Sequence, residues 1–297
     1  MEQHLIKVFG ERNTGTRAVS RMLASLPNVR RRIGPRPGAL GDGSVEAAIE
    51  THMRGAWRRH YLHALRDEAA AQECVDDPWK HSVPTLTPAM IAADVKTLFM
   101  VRNPYSWFLA LARRPYHLKG PAAPGLTEFA LRPWMTERRE NMPAIVKSPM
   151  VLWQSKVASY IDYEKCAGKS NLYCSFIRFE DFVQSGGDAL SAALNAMGVG
   201  PFDITPIPQN TKPDGRTPSE LAEYYRAEGW RDRLTRELVA LINVQVDWGI
   251  AGRFHFRQLD PADFPERLDP EFSEQIRREM SGLRVILDRK AGAASAA

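Results

Sequence analysis

A glycine-bounded loop near the start of the chain limits its possible folds more than any other feature. The octapeptide GERNTGTR, residues 10–17, follows a short apolar run at residues 5–9 and precedes a helix-like stretch at residues 18–26. Backbone N–H groups in such a loop, with the positive end of the helix dipole, bind anionic oxygens without a dedicated side chain. This order of strand, loop and helix predicts an anion site in an α/β fold.

The loop has the G-x4-G spacing of a P-loop but lacks its characteristic side chains. Thr16 and Arg17 occupy the positions where an NTPase carries Lys and then Ser or Thr, which contact the phosphates and Mg²⁺. The backbone cradle is therefore present without the residues that bind Mg-ATP.

Three apolar runs, at residues 5–9, 95–101 and 172–177, read as buried strands that alternate with helical patterns. Such alternation predicts a three-layer P-loop-type α/β fold with a central parallel sheet flanked by helices. The predicted loops and helices complete the pattern. Loops are predicted at residues 34–43 and 119–125, and helices at residues 45–71 (one or two), 149–166, 219–227, 233–246 and 271–287.

Length and composition place the chain among globular proteins. With 297 residues and 44% hydrophobic content, it can form one domain over residues 1–290, followed by a disordered tail at 291–297. A net charge of +5 favours an anionic ligand, which includes nucleic acid. Three cysteines without metal-like spacing, no signal-peptide pattern and no long apolar stretch predict a cytoplasmic protein without membrane association.

A second anion site is predicted in the segment VRNPYSWFLALARRPYH. Arg102 ends the second predicted strand, and Pro104 begins a helix whose N–H groups face the same crevice as the first loop. Two such sites on neighbouring strands suit a ligand with two separated acidic groups. Alternatively, Arg102 pairs with a carboxylate or caps a helix, and Ser106 only caps the helix start.

The segment WKHSVP, at residues 79–84, brings a cation and a titratable base together. His81 can take a proton from an acceptor hydroxyl, and Lys80 can neutralise charge on a leaving group. In an extended backbone the two side chains point to opposite faces, so only one reaches a substrate unless the chain turns there. The alternative for His81 is an ordinary surface or core histidine.

Two further histidines lie on a predicted helix. His60 and His63 share a face at a spacing of three residues, but the sequence offers no third ligand at a sensible spacing. No metal site is therefore expected.

Together these motifs resemble a known family. GERNTGTR after a strand, WKHSVP, VRNPYSWFLALARRPYH and FIRFEDF at residues 176–182 are similar, in this order, to the sulfotransferases that use 3′-phosphoadenosine 5′-phosphosulfate (PAPS), and above all to bacterial sulfotransferase-like proteins. The resemblance extends from about residue 5 to about residue 256. It implies transfer of a sulfuryl group from PAPS to a hydroxyl or amine, without metal, and release of the bisphosphate product PAP.

The resemblance also implies roles for particular residues. Those of the first loop would bind the 5′-phosphosulfate, and Arg102 and Ser106 the 3′-phosphate. His81, Lys80 and Arg12 would form the catalytic group, with Lys80 and Arg12 stabilising the leaving phosphate. The first-loop set is Arg12, Asn13, Thr14, Gly15, Thr16 and Arg17.

The chain departs from the family pattern at three positions. Asn13 stands where many members have a basic residue, Ala110 where members usually have Ser, and Lys80 is adjacent to His81 where cytosolic members show Lys-x-His. Ser106 lies one helical turn before Ala110 and can substitute for the missing Ser.

Two other functions stay open at this point. The first is a P-loop kinase acting on a small molecule or nucleotide, which lacks support because no Lys-Ser/Thr pair follows Gly15. The second is a non-catalytic nucleotide- or nucleic-acid-binding protein, although aromatics interleaved with basic residues are not evident. The expected partner is a small-molecule or glycan acceptor, with no nucleic acid and no membrane; the sequence does not identify the acceptor or the oligomeric state.

Overall fold

The computed structural model describes residues 3–32, 43–118, 123–205 and 216–280. Its strands are β1 His4–Gly10, β2 Val29–Arg32, β3 Lys96–Val101, β4 Trp134–Met135, β5 Ile145–Val146 and β6 Cys174–Arg178. Its helices are α1 Thr16–Leu23, α2 Ser44–His52, α3 Gly55–Glu73, α4 Pro88–Ala92, α5 Pro104–Arg113, α6 Leu126–Leu131, α7 Pro149–Lys169, α8 Phe179–Ser185, α9 Gly187–Ala196, α10 Pro218–Arg226, α11 Arg236–Asn243 and α12 Trp248–Gly252. Short 3-10 helices lie at Arg138–Glu140, Arg231–Arg233 and Pro261–Asp263, and residues 270–280 are helical.

Four strands form a parallel sheet in the order β2-β1-β3-β6. Alternate residues of the central strands point to opposite faces. Val8 and Leu98 contribute to a core on one face together with Val19 of α1, whereas Phe9 and Phe99 contribute to the larger core on the other face. Both faces are covered, so the prediction of an α/β fold with a central parallel sheet flanked by helices is confirmed.

An aromatic row ties the sheet to helix α7. Phe99 lies between Phe9 and Phe176 on the neighbouring strands, with ring centroids 5.8 and 5.1 Å away, and it stacks on Tyr160 at 4.9 Å. Aromatic pairs at these separations add to the burial of their surface. The row holds the three strands, and thus the loops that follow them, in a fixed relation.

The chain order creates a crevice at one edge of the sheet. From β1 the chain moves outward to β2 and then crosses back to β3 on the other side of β1. Ligands of open α/β sheets bind outside the carboxyl ends of the strands at such a switch point. The loop after β1 and the segment after β3 meet there.

The predicted helices are present with shifted bounds. The predicted pattern at residues 45–71 consists of two helices, because Met53 and Arg54 are extended and Gly55 has φ 57°. The helix predicted for residues 149–166 continues to Lys169. The helix predicted for residues 233–246 is shorter, because Arg231–Arg233 forms a separate 3-10 helix and Thr235 caps α11.

Several predictions fall wholly or partly outside the described residues. They include the loop at residues 34–43, most of the loop at 119–125, the end of the helix predicted to reach 287, and the tail at 291–297. The boundary of a single domain at residue 290 also stays a prediction. Within the described parts, no helix is both long and apolar enough to cross a bilayer.

Candidate active site

The loop after β1 forms an open backbone cradle. A Cβ atom at Gly10 would lie 2.6 Å from Thr14 Oγ1 and 2.8 Å from Met100 Cβ, so only glycine fits. Gly15 has φ 85° and precedes α1 without any side-chain cap. In the described structure the N–H groups of Gly15, Thr16 and Arg17 have no acceptor. Three amides at a helix N-terminus are thus available to an anion.

The shape of the cradle is set by local hydrogen bonds. Both the backbone N–H and the hydroxyl of Thr14 donate to Glu11 O, at 3.2 and 2.6 Å. Asn13 adopts the left-handed conformation, with φ 65°, and its side-chain amide donates to Arg114 O at 3.3 Å. Asn tolerates this conformation better than most residues, which gives the Asn at this position a structural reason.

Two cations lie beside the cradle without a carboxylate partner among the described residues. Lys80 is half-buried, and its pKa is lowered by burial and by the charge of Arg17. Arg17 is exposed, in the first turn of α1. Neither side chain takes part in an ion pair of the described structure. Like charges held together at a helix N-terminus indicate a place for an anionic ligand.

The segment with Lys80 and His81 is a turn and not an extended strand. The Ser82 N–H and hydroxyl both donate to Trp79 O, at 2.9 and 2.7 Å, and close the turn. Gly10 N–H donates to Lys80 O at 3.0 Å. The turn therefore lies directly against the first residue of the cradle.

His81 is held in a single tautomer. Its Nδ1 lies 2.5 Å from Gly10 O, and a carbonyl only accepts, so Nδ1 carries the proton. Nε2 then has a lone pair and no hydrogen-bond partner among the described residues. Burial lowers the pKa of His81 well below its ordinary value, and the charges of Lys80 and Arg12 lower it further. The imidazole is neutral near pH 7, as a general base requires.

Arg102 follows β3 and connects the second segment to the cradle. Its Nη1 donates to Asn13 O at 2.6 Å, its Nε donates to Ser106 Oγ at 3.0 Å, and its Nη2 donates to the Tyr225 hydroxyl. The guanidinium lies over the Phe179 ring, 4.3 Å from the centroid. The two sequence-predicted anion sites are therefore adjacent, with Arg102 between them.

A buried carboxylate supports the second segment. Glu180 accepts from Ser106 Oγ at 2.8 Å and from Asn103 N–H at 3.2 Å. Burial raises the pKa of Glu180, while Arg102 opposes that shift. The Asn103 side chain caps α5 by accepting from Tyr105 N–H at 3.0 Å. FIRFEDF thus contributes a positioning carboxylate rather than only the pairing of Arg178 with Asp181, whose atoms lie 3.7 Å apart.

Arg12 points away from the cradle into a buried ion cluster. Its guanidinium bonds Glu11 at 2.7 Å and Glu140 at 2.6 Å, and Lys156 bonds Glu140 at 2.7 Å. All four side chains are at most 2% exposed. Burial would lower the pKa of Arg12, but Glu11 and Glu140 raise it above its usual value. Burial would raise the pKa of Glu140, but Lys156 and Arg12 hold it below its usual range. The two positive and two negative charges of this cluster therefore cancel.

The ion cluster and two tryptophan side chains form hydrogen bonds to the backbone of the site. Lys156 Nζ also donates to His81 O. Trp107 Nε1 donates to Arg12 O at 2.8 Å, and Trp153 Nε1 donates to Arg102 O at 3.0 Å. Helices α5 and α7 therefore fix the backbone of both segments. The backbone N–H groups of the two segments are thus oriented before any ligand binds.

Sequence reasoning missed the supporting residues. Glu11 lies inside the quoted loop, and Glu140, Lys156 and Tyr225 come from distant segments with no motif of their own. A buried Lys on the apolar face of α7 was the available signal, because an unpaired Lys is almost never buried. Ser106 faces Arg102 directly, and Ala110 is one turn further along α5.

Comparisons with known proteins give little. No protein-family model matches the chain, and no curated protein matches it in sequence. Among solved structures, the crystal structure of a sulfotransferase from Alicyclobacillus acidocaldarius is similar, with 16% identity over 86% of this chain and 98% of that chain, and a TM-score of 0.38.

Proposed function

We propose that the protein is a sulfotransferase that moves a sulfuryl group from PAPS to a hydroxyl or amine of a small-molecule or glycan acceptor. One observation carries the proposal. An uncapped helix N-terminus, the uncompensated cations Lys80 and Arg17, and the neutral base His81 converge on one cradle. This combination suits an anionic donor group that is transferred to a deprotonating nucleophile.

The residues around the cradle favour a sulfonate donor over Mg-ATP. Thr16 and Arg17 replace the Lys and Ser/Thr of an NTPase. β3, next to β1, is followed by Arg102, whose positive charge opposes a divalent cation at the crevice. A sulfonate carries one negative charge, so amides and two side-chain cations are enough to hold it.

The donor's two acidic ends would take different residues. The amides of Gly15, Thr16 and Arg17 fit the 5′-phosphosulfate, with the hydroxyls of Thr14 and Thr16 nearby. Arg102 has five N–H donors, of which three are used within the protein, and would offer the rest to the 3′-phosphate. Ser106 would orient Arg102 in this proposal and Asn13 would shape the loop.

In sulfuryl transfer the bond from sulfur to the donor's phosphate oxygen breaks while a bond from sulfur to the acceptor atom forms. His81 Nε2 would accept the acceptor's proton, because Nδ1 already donates to Gly10 O. Lys80, Arg17 and the α1 amides would stabilise the negative charge left on the phosphate. Arg12 would act through its backbone and its ion cluster, since its guanidinium already bonds two carboxylates.

The decisive experiment compares ligands in thermal unfolding. PAP should raise Tm, whereas ATP with Mg²⁺ should raise it much less; a ligand at about 100 times its Kd adds roughly 2.7 kcal/mol of stability. Adenosine 5′-monophosphate, which differs from PAP only by lacking the 3′-phosphate, is the matched control for the role of Arg102. Stabilisation by Mg-ATP alone would overturn the proposal in favour of a kinase.

A failure to respond to any nucleotide would also contradict it. If PAP binds, a screen of hydroxyl and amine acceptors with labelled PAPS tests transfer directly. Binding without transfer to any acceptor, and without slow hydrolysis of PAPS, would favour a non-catalytic nucleotide-binding protein.

A further inference from the structure

Three potential metal ligands from distant parts of the chain meet near the candidate active site. One ligand atom each from His63 of α3, His117 of the turn after α5 and Glu137 lie within 4.8 Å of one another. His63 Nε2 is 2.7 Å from a Glu137 carboxylate oxygen, and the rings of His63 and His117 lie 5.3 Å apart. The sequence shows only a pair, His60 and His63; the fold supplies the other two ligands.

A second buried carboxylate lies beside this cluster. Asp67 Oδ1 lies 3.2 Å from Arg139 Nε, and Asp67 Oδ2 accepts from Arg138 N–H at 2.6 Å. Glu137, which is also buried, is the carboxylate that lies against the two histidines.

The ligand side chains differ in their exposure to solvent. Glu137 is fully buried, whereas His63 is 40% exposed and leaves an approach from solvent.

We propose that His63, His117 and Glu137 bind a single Zn²⁺ ion or a similar first-row divalent metal. Two imidazoles and one carboxylate form a ligand set that zinc accepts, with a fourth position for water or another ligand. Zinc bonds of about 2.0–2.2 Å require the ligand atoms to lie roughly 3.3–3.5 Å apart. His63 therefore moves outward from its hydrogen bond with Glu137, and the half-exposed side chain permits that movement.

The ion joins three segments on one side of the crevice. The Trp79 ring meets the rings of His117 and His81 edge-on, with centroids 5.7 and 4.9 Å away. The metal thus stabilises the wall beside the candidate base, and no step of the proposed transfer passes through it. The inference does not depend on the proposed function, because zinc binding is measured without donor or acceptor.

The test is a titration of the metal-free 297-residue protein with ZnCl₂, measured by calorimetry and by thermal unfolding. We expect one equivalent to bind and Tm to rise by about 4–5 °C at 100-fold saturation. His117→Ala and His63→Gln should each weaken binding by more than the roughly 10–100-fold that loss of an outer-shell partner costs. His60→Ala, an exposed change on the same helix, is the control and should bind like the parent protein.

Binding of Co²⁺ in place of Zn²⁺ tests which residue types are the ligands. Co²⁺ at this site should give visible absorption of a four- or five-coordinate ion without a thiolate charge-transfer band. The proposal is overturned if the parent protein binds no zinc, if folded His117→Ala and His63→Gln bind as tightly as His60→Ala, or if a thiolate band assigns the ion to a cysteine.

Discussion

Two pairs of cations near the candidate active site have opposite environments. Arg12 and Lys156 are buried, and each bonds a carboxylate within 2.7 Å. Lys80 and Arg17 lie beside the cradle with no ion pair in the described structure. Residue type alone does not separate the pairs; compensation by carboxylates does. The compensated pair supports the fold, and the uncompensated pair is where an anionic ligand is expected.

The comparison also shows that basic residues of one motif can have two different roles. Within this one loop, the Arg12 guanidinium pairs with buried carboxylates, whereas Arg17 is exposed to solvent. A basic residue in an anion-binding motif therefore indicates a ligand contact only after its internal partners are known. Variants of the two pairs should act on different quantities, stability for one and ligand binding for the other.

The variant with the largest expected effect removes one cation of the buried, compensated pair. Lys156→Met leaves two buried carboxylates facing one guanidinium, and removal of one partner from a buried ion pair costs about 3–5 kcal/mol. Urea denaturation measures the free energy of unfolding. Lys165→Met on the same helix, in a largely exposed ion pair, should change it by less than about 1 kcal/mol. Equal losses in the two variants would refute the distinction.

The next variant removes the proposed base, His81, and leaves both pairs of cations intact. His81→Gln should lower kcat for sulfuryl transfer by about 100-fold or more, the usual contribution of a general base. The Kd for PAP should stay within a few-fold, because the cradle amides are unchanged. His60→Gln is the control. A His81→Gln variant with full turnover would place the base elsewhere.

A smaller effect separates ligand binding from stability in the uncompensated pair. Lys80→Met should weaken PAP binding by about 1.5–3 kcal/mol, the range of a charged hydrogen bond, in calorimetric titration. The unfolding free energy of the ligand-free protein should not fall, because burial lowers the pKa of Lys80 and so disfavours its charged form. Lys147→Met makes the same charge change at an exposed site and should leave PAP binding unaltered. A loss of ligand-free stability like that of Lys156→Met would contradict the comparison.

The smallest effect concerns pH. The base works only when neutral, so activity should persist as pH falls and decline only below the ordinary histidine pKa of 6.5, since burial and Lys80 lower the pKa of His81. Lys80→Met removes one of these causes, which raises the pKa and moves the acidic decline of kcat to higher pH. A profile of kcat against pH for both proteins tests this. An acidic decline unchanged by the substitution would show that Lys80 and His81 are not electrostatically coupled.

The sequence predicted the parts of the fold that depend on local pattern. Strands β1, β3 and β6 appear as apolar runs, and the two glycines of the first loop mark a close approach at Gly10 and a left-handed conformation at Gly15. The approximate positions of the helices also followed from periodicity. The helix ends did not, since α7 extends to Lys169 and past the predicted end at residue 166.

The candidate site was predictable only where a motif carried it. Lys80, His81 and Arg102 were identified, but the turn that brings Lys80 and His81 to the cradle depends on hydrogen bonds of Ser82 and Gly10. Glu140 and Lys156 were not identified, since pairing across 128 and 16 residues leaves no periodic trace. For the same reason, the sequence did not indicate that His63 lies close to His117 and Glu137. Contacts between distant segments are products of the fold, and single-sequence patterns do not record them.

The paired hydrogen bonds of Gly10 bear on positional accuracy. Its N–H donates to Lys80 O and its carbonyl accepts from His81 Nδ1, so one residue holds the turn of Lys80 and His81 against the cradle. Groups attached to one residue share its thermal displacement, whereas groups attached to different elements add the displacements of both. The distance between the cradle and His81 is therefore expected to vary less than distances across the rest of the crevice.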